Sequence, residues 1–333
     1  MTVTVEVGET GQNQIDSHKI IAYGQNVWVA SSRASMLMSC VMPATNPAAK
    51  KGTSWTDDGY SRADAPENVT NEFEAQNSKR LNRGRRVGTW DHKFFSHMVG
   101  KKEMAEQLTD PTNPTVMAQA EAAGLFYDQR ILGLITGGAT EAVNDNPLDP
   151  LNPVLHSFQT VAFPTGRTIA VDDWDYYRGL ADGQAAAPTG PSGLTLPKIR
   201  KAKTLLANRR FRGEICMAVS DNDVEHLKTS IEGSSRDYER LEELSTEDMF
   251  KFHGIKFIKV HPDAQVGYGT ATAQCPVWVK DSIIFDRRNL VDARVHERAD
   301  MHYNYEAYWR FQTTGLRRDD LSVANILCDQ TAV

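Results

Sequence analysis

Three acidic side chains form the tightest group of possible metal ligands in the sequence. Asp172, Asp173 and Asp175 lie in the segment VDDWDYY, and divalent cations prefer such hard oxygen ligands. A metal-dependent hydrolase could use this chemistry. Adjacent residues of a strand point to opposite faces, however, so Asp172 and Asp173 converge only if the chain turns between them. A solvated loop is the preferred interpretation, and the hydrolase stays an alternative.

Cysteines and known motifs give no stronger indication of chemistry. Cys40, Cys216, Cys275 and Cys328 are far apart and lack the CxxC spacing of a metal or redox site. We therefore expect buried, reduced thiols. The sequence also has no GxGxxG, P-loop, GxSxG or HExxH motif. We expect no catalytic residue, no metal and no cofactor, and hence a structural protein rather than an enzyme.

Composition and charge restrict the possible partners. Of the 333 residues, 40% are hydrophobic and 24% are charged, which is enough apolar material for a sizeable core. No apolar stretch approaches the roughly 20 residues that cross a bilayer, so we expect no membrane contact. The formal net charge of -6 is unfavourable for a protein that grips nucleic acid over its whole surface. A container wall around nucleic acid is compatible with it.

A long segment between Pro43 and Gly88 contains few large apolar residues but has its charges sorted by sign. Structureless loops beyond about 15 residues are uncommon in compact domains. The preferred interpretation is a long two-stranded protrusion that lies on a neighbouring subunit, since an isolated hairpin is marginally stable in water. Disorder is the alternative. The acidic residues come first and the basic ones follow: Asp57, Asp58, Asp64, Glu67, Glu72 and Glu74, then Lys79, Arg80, Arg83, Arg85 and Arg86.

This extended loop is the expected intersubunit interface. Trp55 and Phe73 are candidate apolar anchors, because aromatic side chains dominate interface energetics. Acidic residues of one copy would pair with basic residues of the next and so fix the register between neighbours. The interface candidates are Trp55, Asp57, Asp58, Glu72, Phe73, Glu74, Lys79, Arg80, Arg83, Arg85 and Arg86.

The clearest helix follows the loop. Asn113 can cap its amino end, Pro114 suits the first helical position, and Gly137 and Gly138 end it. About 22 residues would make a rod of roughly 33 Å, suited to bracing a flat subunit. One apolar stripe recurs at spacings of three and four: Val116, Ala120, Ala123, Tyr127, Ile131 and Ile135.

The remaining sequence predicts a mixture of helices and strands, so the fold class is α+β. Thr195 is expected to cap a helix that buries Ile199, Ala202, Leu205 and Leu206, and Ser220 or Asp221 is expected to cap a second one. The predicted strands are Thr168–Val171, Ile215–Val219, a hairpin of Met249–Phe252 with Ile255–Val260, Ser282–Phe285, and long antiparallel strands at Ala293–Glu297, Tyr303–Thr313 and Leu321–Cys328.

The order of these parts, and several segments, resemble one known family. DHKFFSHMVGKKEMAEQLTDPTNPTVMAQAEAAGLFYDQRILGLITGG, VAFPTGRTIAVDD, LTLPKIRKAKTLLANRRF, EICMAVSDNDVEHL and HYNYEAYWRFQTTGLRRDDLSVANILC are similar to parts of the major capsid proteins of tailed bacteriophages, which share the Hong Kong ninety-seven type shell fold. The resemblance covers residues 80–330 and reaches the first 80 by position alone. It implies an N-terminal arm (1–42), an extended loop (43–90), a spine helix with a peripheral domain (91–192), an axial domain (193–290) and peripheral return strands (291–333).

The resemblance also implies a function. The expected protein is a major capsid protein that self-assembles into hexamers and pentamers of an icosahedral shell enclosing phage double-stranded DNA, without sequence-specific contacts. A separate scaffolding protein, a portal and a decoration protein are the implied partners, and assembly is expected in the cytoplasm of the host bacterium. Some relatives crosslink a loop lysine to a neighbour. Lys50, Lys51 and Lys79 lie in or near the loop, but no partner is identifiable and we expect no crosslink. An encapsulin-like bacterial nanocompartment shell is the nearest alternative.

Overall fold

The structure is a computed structural model that describes residues 35–44, 52–60, 83–100, 112–143, 157–172, 192–229, 247–289 and 294–330. Residues 1–34 of the expected arm (1–42) lie outside this part, and its residues 35–42 are described. The described residues form an α+β fold, as expected. None of the described helices is both long and apolar enough to span a membrane. The α-helices are α1 (Thr112–Thr136), α2 (Leu196–Leu205) and α3 (Asp221–Thr229).

Strands supply most of the remaining structure, and short 3-10 turns connect several of them. In chain order they are β1 (Ser54–Tyr60), β2 (Arg83–Thr89), β3 (Asp91–Val99), β4 (Ala139–Val143), β5 (Ser157–Val161), β6 (Thr168–Ile169), β7 (Ile215–Val219), β8 (Met249–Phe252), β9 (Ile255–Lys259), β10 (Thr272–Val279), β11 (Ile283–Asn289), β12 (Arg294–Arg298), β13 (Asn304–Arg317) and β14 (Val323–Asp329). They form three sheets, with the orders β1-β2-β4-β5, β6-β14-β10-β7-β9-β8 and β11-β13-β12, and β3 pairs with β13.

The long helix α1 is the predicted spine. Its stripe from Ala120 to Ile135 is buried, as the spacing predicted, whereas the side chain of Val116 lies outside the described part. The helix begins at Thr112, so Asn113 and Pro114 fall within its first turn rather than before it. It ends before Gly137, whose N–H donates to the carbonyl of Gly133 at 2.9 Å. A Cβ at Gly137 would collide with that carbonyl oxygen, so the close approach requires glycine.

The six-stranded sheet separates two cores. Along β7, Ile215, Met217 and Val219 belong to the cluster that includes α2 and α3. Cys216 and Ala218 belong to the cluster that includes α1. Successive side chains of a strand point to opposite faces, so α2 and α3 cover one face of the sheet and α1 lies toward the other.

The two short helices begin close to where the sequence predicted. Ser220 and Asp223 form a capping box: the Ser220 N–H donates to Asp223 Oδ2 at 2.9 Å, and the Asp223 N–H donates to Ser220 Oγ at 3.3 Å. Thr195 occupies the N-cap position of α2, but its hydroxyl makes no capping bond. Its backbone carbonyl accepts from the Ile199 N–H at 3.2 Å, which is sufficient to start the helix.

The terminal strands are divided between two sheets. β11 pairs with β13, so the chain changes sheet at the turn Lys280–Ser282. β14 then returns to the six-stranded sheet, where it pairs with β10 and, in parallel, with β6. Strand pairing between distant segments decides this division, and local sequence does not encode it.

All four cysteines are buried and free, and they lie in two contacting pairs. A hydrogen bond from Cys216 lowers the pKa of Cys40 to about 6, although burial opposes this shift. The same bond, together with burial, raises the pKa of Cys216. In the other pair, the hydrogen bond to Cys328 and burial raise the pKa of Cys275. The expected burial of the thiols is confirmed, while their pairing was not predicted.

Candidate intersubunit surface

The two strands expected at the base of the extended loop are present. β1 and β2 pair antiparallel from Ser54 opposite Thr89 to Tyr60 opposite Arg83. β2 also pairs with β4, where Arg86 lies opposite Glu141. The hairpin base is therefore part of a sheet. Residues 61–82, which connect the two strands, lie outside the described part.

Trp55 anchors the hairpin base to its own chain. Only 4% of this residue is exposed, and it packs with Trp90 and Leu316. Its indole N–H donates to Thr314 Oγ1 on β13 at 2.8 Å. A Cβ at Gly88 would lie 2.7 Å from the indole ring, so glycine makes room for it. We expected Trp55 to contact a neighbouring subunit, but the described chain already buries it.

The sorted charges pair within the chain. Arg85 Nε donates to Asp58 Oδ1 at 2.6 Å, between residues that face each other in the hairpin register. Asp57 Oδ2 accepts from Arg318 Nε at 2.7 Å. Asp57, Asp58 and Arg85 therefore have partners inside one copy. A hairpin folds the acidic half of the segment back onto the basic half, so the same sorting of charges serves its own register.

A buried arginine connects the hairpin base to the end of the spine helix. Asp320 accepts at 2.7 Å from Arg86 Nη2 and at 2.7 Å from Arg317 Nε. Arg317 Nη1 donates to the carbonyls of Ile135, at 3.1 Å, and Gly137, at 2.6 Å. These carbonyls lack helical partners and carry partial negative charge. Burial lowers the pKa of Arg317, and the charge of Asp320 opposes that shift.

The described end of the expected arm, residues 35–42, is fixed to the spine helix by a buried carboxylate. Asp128 on α1 accepts from Ser35 Oγ at 2.6 Å and from the backbone N–H groups of Met36 and Leu37, each at 3.1 Å. Burial raises the pKa of Asp128, and the three hydrogen bonds oppose that shift. Farther along, the Met42 N–H donates to the Ile283 carbonyl at 2.9 Å, which joins the segment to β11.

The described part therefore brings together some of the interface candidates and leaves others out. Near the hairpin base lie Trp55, Asp57, Asp58, Arg85 and Arg86. Only the backbone of Arg83 is described. The candidates outside the described residues are Glu72, Phe73, Glu74, Lys79 and Arg80, together with Asp64 and Glu67 from the sorted charges and Lys50 and Lys51 from the crosslink argument.

Sequence reasoning missed the side chains that hold this base in place. The ion pairs that hold the base involve Arg317, Arg318 and Asp320. Asp128 fixes the N-terminal segment. The signal was the uninterrupted run RRDD directly after an apolar strand. Four adjacent charges beside a strand indicate a polar network, but the run does not name its distant partners.

The acidic group considered for metal chemistry is only partly described. Asp172 is exposed in a turn after β6, and Asp173 and Asp175 lie outside the described residues. The hydrolase alternative therefore gains no geometric support from Asp172.

Within the described part, one other set of possible metal ligands lies together. Single ligand atoms of Asp223, Cys275 and Cys328 fall within 4.8 Å of one another, and all three residues are buried. The carboxylate is already occupied, because Asp223 accepts from Ser220 in the capping box and from Gln265 Nε2 at 2.7 Å. These bonds account for a buried carboxylate without an ion.

Comparisons with known proteins agree with the architecture. The fold is similar to the capsid of Ralstonia phage GP4, with a TM-score of 0.61, 9% identity and 87% of each chain covered. The fold is also similar to the capsid of cyanophage Pam1, with a TM-score of 0.57, 12% identity, and 90% of this chain and 93% of that chain covered. For a virus-like particle from Pyrococcus furiosus the TM-score is 0.50 and the identity 9%, with 92% of this chain and 98% of that chain covered.

At such identities these similarities establish the fold alone, which is the Hong Kong ninety-seven type. Comparison with curated protein sequences gave no match. A model of the family described as phage capsid protein matches residues 17–330, which is most of the chain. The chain therefore belongs to the phage capsid protein family and is a shell-forming component of the virion.

Proposed function

We propose that this chain is the major capsid subunit of a tailed phage, and that it forms hexamers and pentamers of an icosahedral shell around double-stranded DNA. The family match over residues 17–330 is the observation that supports this most directly. Head-to-tail contacts close such rings when each subunit presents two different surfaces. The role is structural and requires no catalytic residue.

The part of the extended loop beyond the charges paired at the hairpin base is the proposed contact with the neighbouring copy. Asp57, Asp58, Arg85 and Arg86 already have partners in their own chain, so their charges serve the hairpin base. Intersubunit pairing is assigned to the remaining charged interface candidates, which are Glu72, Glu74, Lys79, Arg80 and Arg83, with Phe73 as apolar anchor. The three ion pairs and buried Trp55 support this assignment, because they hold the base in one orientation.

The capsid assignment also implies other proteins that act with this chain. Assembly takes place in the cytoplasm of the host bacterium with a separate scaffolding protein and a portal. A decoration protein binds the outer surface of the finished shell. An encapsulin-like compartment is the second candidate. The likeness to the Pyrococcus furiosus particle supports it, at a lower TM-score than the phage capsids quoted above.

Negative-stain electron microscopy of purified protein tests the interface assignment. One variant reverses the acidic tip (Glu72→Lys, Glu74→Lys) and a second reverses the basic tip (Lys79→Glu, Arg80→Glu). If the tips pair between copies, each variant alone forms few rings or shells, whereas an equimolar mixture of the two regains six-membered rings, in which the variants can alternate. Opposite tips then meet at the contacts between the two kinds of subunit.

A third variant supplies the control. Glu225→Lys reverses a surface charge on α3 that pairs with Lys228 in the same helix, and its shells should match those of the wild type. Recovery in a single chain carrying all four tip changes, without recovery in the mixture, would mean that the tips pair within one chain. Absence of rings or shells from the wild type, even with a co-expressed scaffold, would contradict the capsid assignment.

A further inference from the structure

A strongly basic segment lies in a chain whose net charge is negative. Residues 196–212 contain no Asp or Glu, and the first acidic residue after them is Glu214. The net charge of the whole chain is -6, so the rest of the molecule is more acidic than that figure suggests. The cations of this basic segment are Lys198, Arg200, Lys201, Lys203, Arg209, Arg210 and Arg212.

Helix α2 exposes two of these charges, and the turn after it exposes two more. Ile199 and Ala202 face the core with Leu206, so Arg200 and Lys203 fall on the outer side and are exposed. In the turn that follows, four exposed or half-exposed positions continue the surface, at residues 209–212.

Lys198 is the exception among the cations. It is 1% exposed, and its ammonium donates to the carbonyls of Val171, Ser192, Gly193 and Leu327 at 2.8 to 3.1 Å. Lys198 therefore holds the base of the segment, and the other six cations form its surface.

Several of these cations are positioned by neutral groups. Lys203 Nζ donates to the carbonyl of His253 at 2.9 Å. Arg209 Nη1 donates to the carbonyl of Leu206 at 3.2 Å. The guanidinium of Arg210 lies 5.6 Å from the ring centre of Phe211. Such contacts fix a side chain without cancelling its charge.

The nearest acidic residue in sequence, Glu214, pairs with a cation outside the basic segment. Glu214 lies 2.5 Å from Lys251 Nζ, and this hydrogen bond lowers the pKa of Glu214. The charge of Glu214 is thus matched by a lysine of β8, outside the basic segment. The basic segment lies on the face of the six-stranded sheet that is opposite α1.

We propose that the basic segment is the docking surface for an acidic peptide segment of a partner protein. This inference rests on the proposed function, because an assembling shell protein needs specific protein partners. Carboxylates suit the guanidinium groups of Arg200, Arg210 and Arg212, which can bind them in a two-pronged manner.

The scale of the charged surface favours a peptide over duplex DNA. Electrostatic attraction is screened over about 8 to 10 Å at ordinary salt. A short peptide on α2 meets mainly the local positive charge. A rigid duplex extends past the basic segment and meets a surface whose remaining charge is negative. Phe211 is half-buried beside Arg210, so the segment also lacks an exposed aromatic platform for single strands.

Fluorescence anisotropy with the full chain tests this proposal. The probes are a labelled oligoglutamate peptide and a labelled DNA duplex of equal total charge. The test variant is Arg200→Gln, Lys203→Gln, Arg210→Gln and Arg212→Gln. Loss of four exposed ion pairs between the segment and the peptide should weaken peptide binding about 30-fold. The matched control removes four cations on other elements: Lys93→Gln, Lys228→Gln, Lys259→Gln and Arg298→Gln, each of which has a surface carboxylate partner.

The proposal requires that the wild type binds the peptide more tightly than the duplex, and that the control variant stays within about threefold of the wild type. If the test and control variants lose peptide affinity equally, the binding is general charge attraction. If the wild type binds the duplex more tightly than the peptide, the segment is a nucleic-acid surface. Either result overturns the proposal, as does absence of peptide binding. If the test variant fails to fold in a thermal melt, Arg210→Gln with Arg212→Gln replaces it. Shells seen by microscopy without peptide binding would refute this inference and leave the capsid assignment intact.

Discussion

Replacing the buried arginine at the end of the spine helix should destabilise the subunit strongly. The change Arg317→Met keeps an apolar stem but removes donors to Asp320, Ile135 and Gly137, which lie at 2.6 to 3.1 Å. Removing one partner of a buried ion pair costs about 3 to 5 kcal/mol. Asp320 keeps Arg86 as partner, so we expect the lower part of that range, about 3 to 4 kcal/mol.

Differential scanning calorimetry of the unassembled chain measures this effect. With about 2 cal/mol/K of unfolding entropy per residue, a chain of this length loses roughly 4 to 6 °C in Tm for that cost. Arg298→Met is the matched control. Its guanidinium is partly exposed and pairs with Asp300 at the surface, so its loss of Tm should be much smaller than that of Arg317→Met.

Equal Tm values for Arg317→Met and the wild type would refute this reasoning. They would mean that the carbonyls at the end of α1 and the Asp320 carboxylate find other partners at no cost. Equal losses in Arg317→Met and Arg298→Met would also refute it, because burial would then not distinguish the two arginines.

Three further changes test other contacts. Lys198→Met leaves four buried carbonyls without their ammonium donor and should cost about 2 to 4 kcal/mol in a denaturant melt. Gly88→Ala should cost about 1 to 3 kcal/mol, because its Cβ would collide with Trp55, whereas Gly166→Ala meets nothing within 4 Å and should be neutral. The raised pKa of Asp128 means that the folded state binds the proton more tightly. Wild-type stability attributable to this group therefore falls as pH rises above 3.8, the ordinary value, and the stability of wild type minus Asp128→Asn should be smaller at pH 7 than at pH 4.

Elements with a strong local pattern could be predicted from sequence. The stripe from Ala120 to Ile135 identified the spine helix, because spacings of three and four place side chains on one helical face. The buried run Ile215–Val219 and the hairpin around Gly254 were also identified correctly. Each of these signals lies within a few neighbouring residues.

The candidate surface could be predicted only in outline. The sorted charges marked residues 43–90 as a paired structure, and β1 with β2 agrees with that. The partners of these charges could not be predicted, because they are distant in sequence. Asp57 pairs with Arg318, and Arg86 pairs with Asp320, which is more than 230 residues away along the chain. Trp55 was expected to anchor a neighbouring subunit, and its bond to Thr314 of the same chain could not be predicted from sequence.

The sequence by itself determined the family, the α+β class and the spine helix, because residue order and hydrophobic periodicity are local properties. Only the tertiary structure decided that β14 returns to the six-stranded sheet, that the cysteines meet in pairs, and that Arg317 joins the hairpin to the spine. These contacts depend on which distant surfaces bury each other. Many pairings satisfy the same local pattern, and packing of the whole chain selects among them.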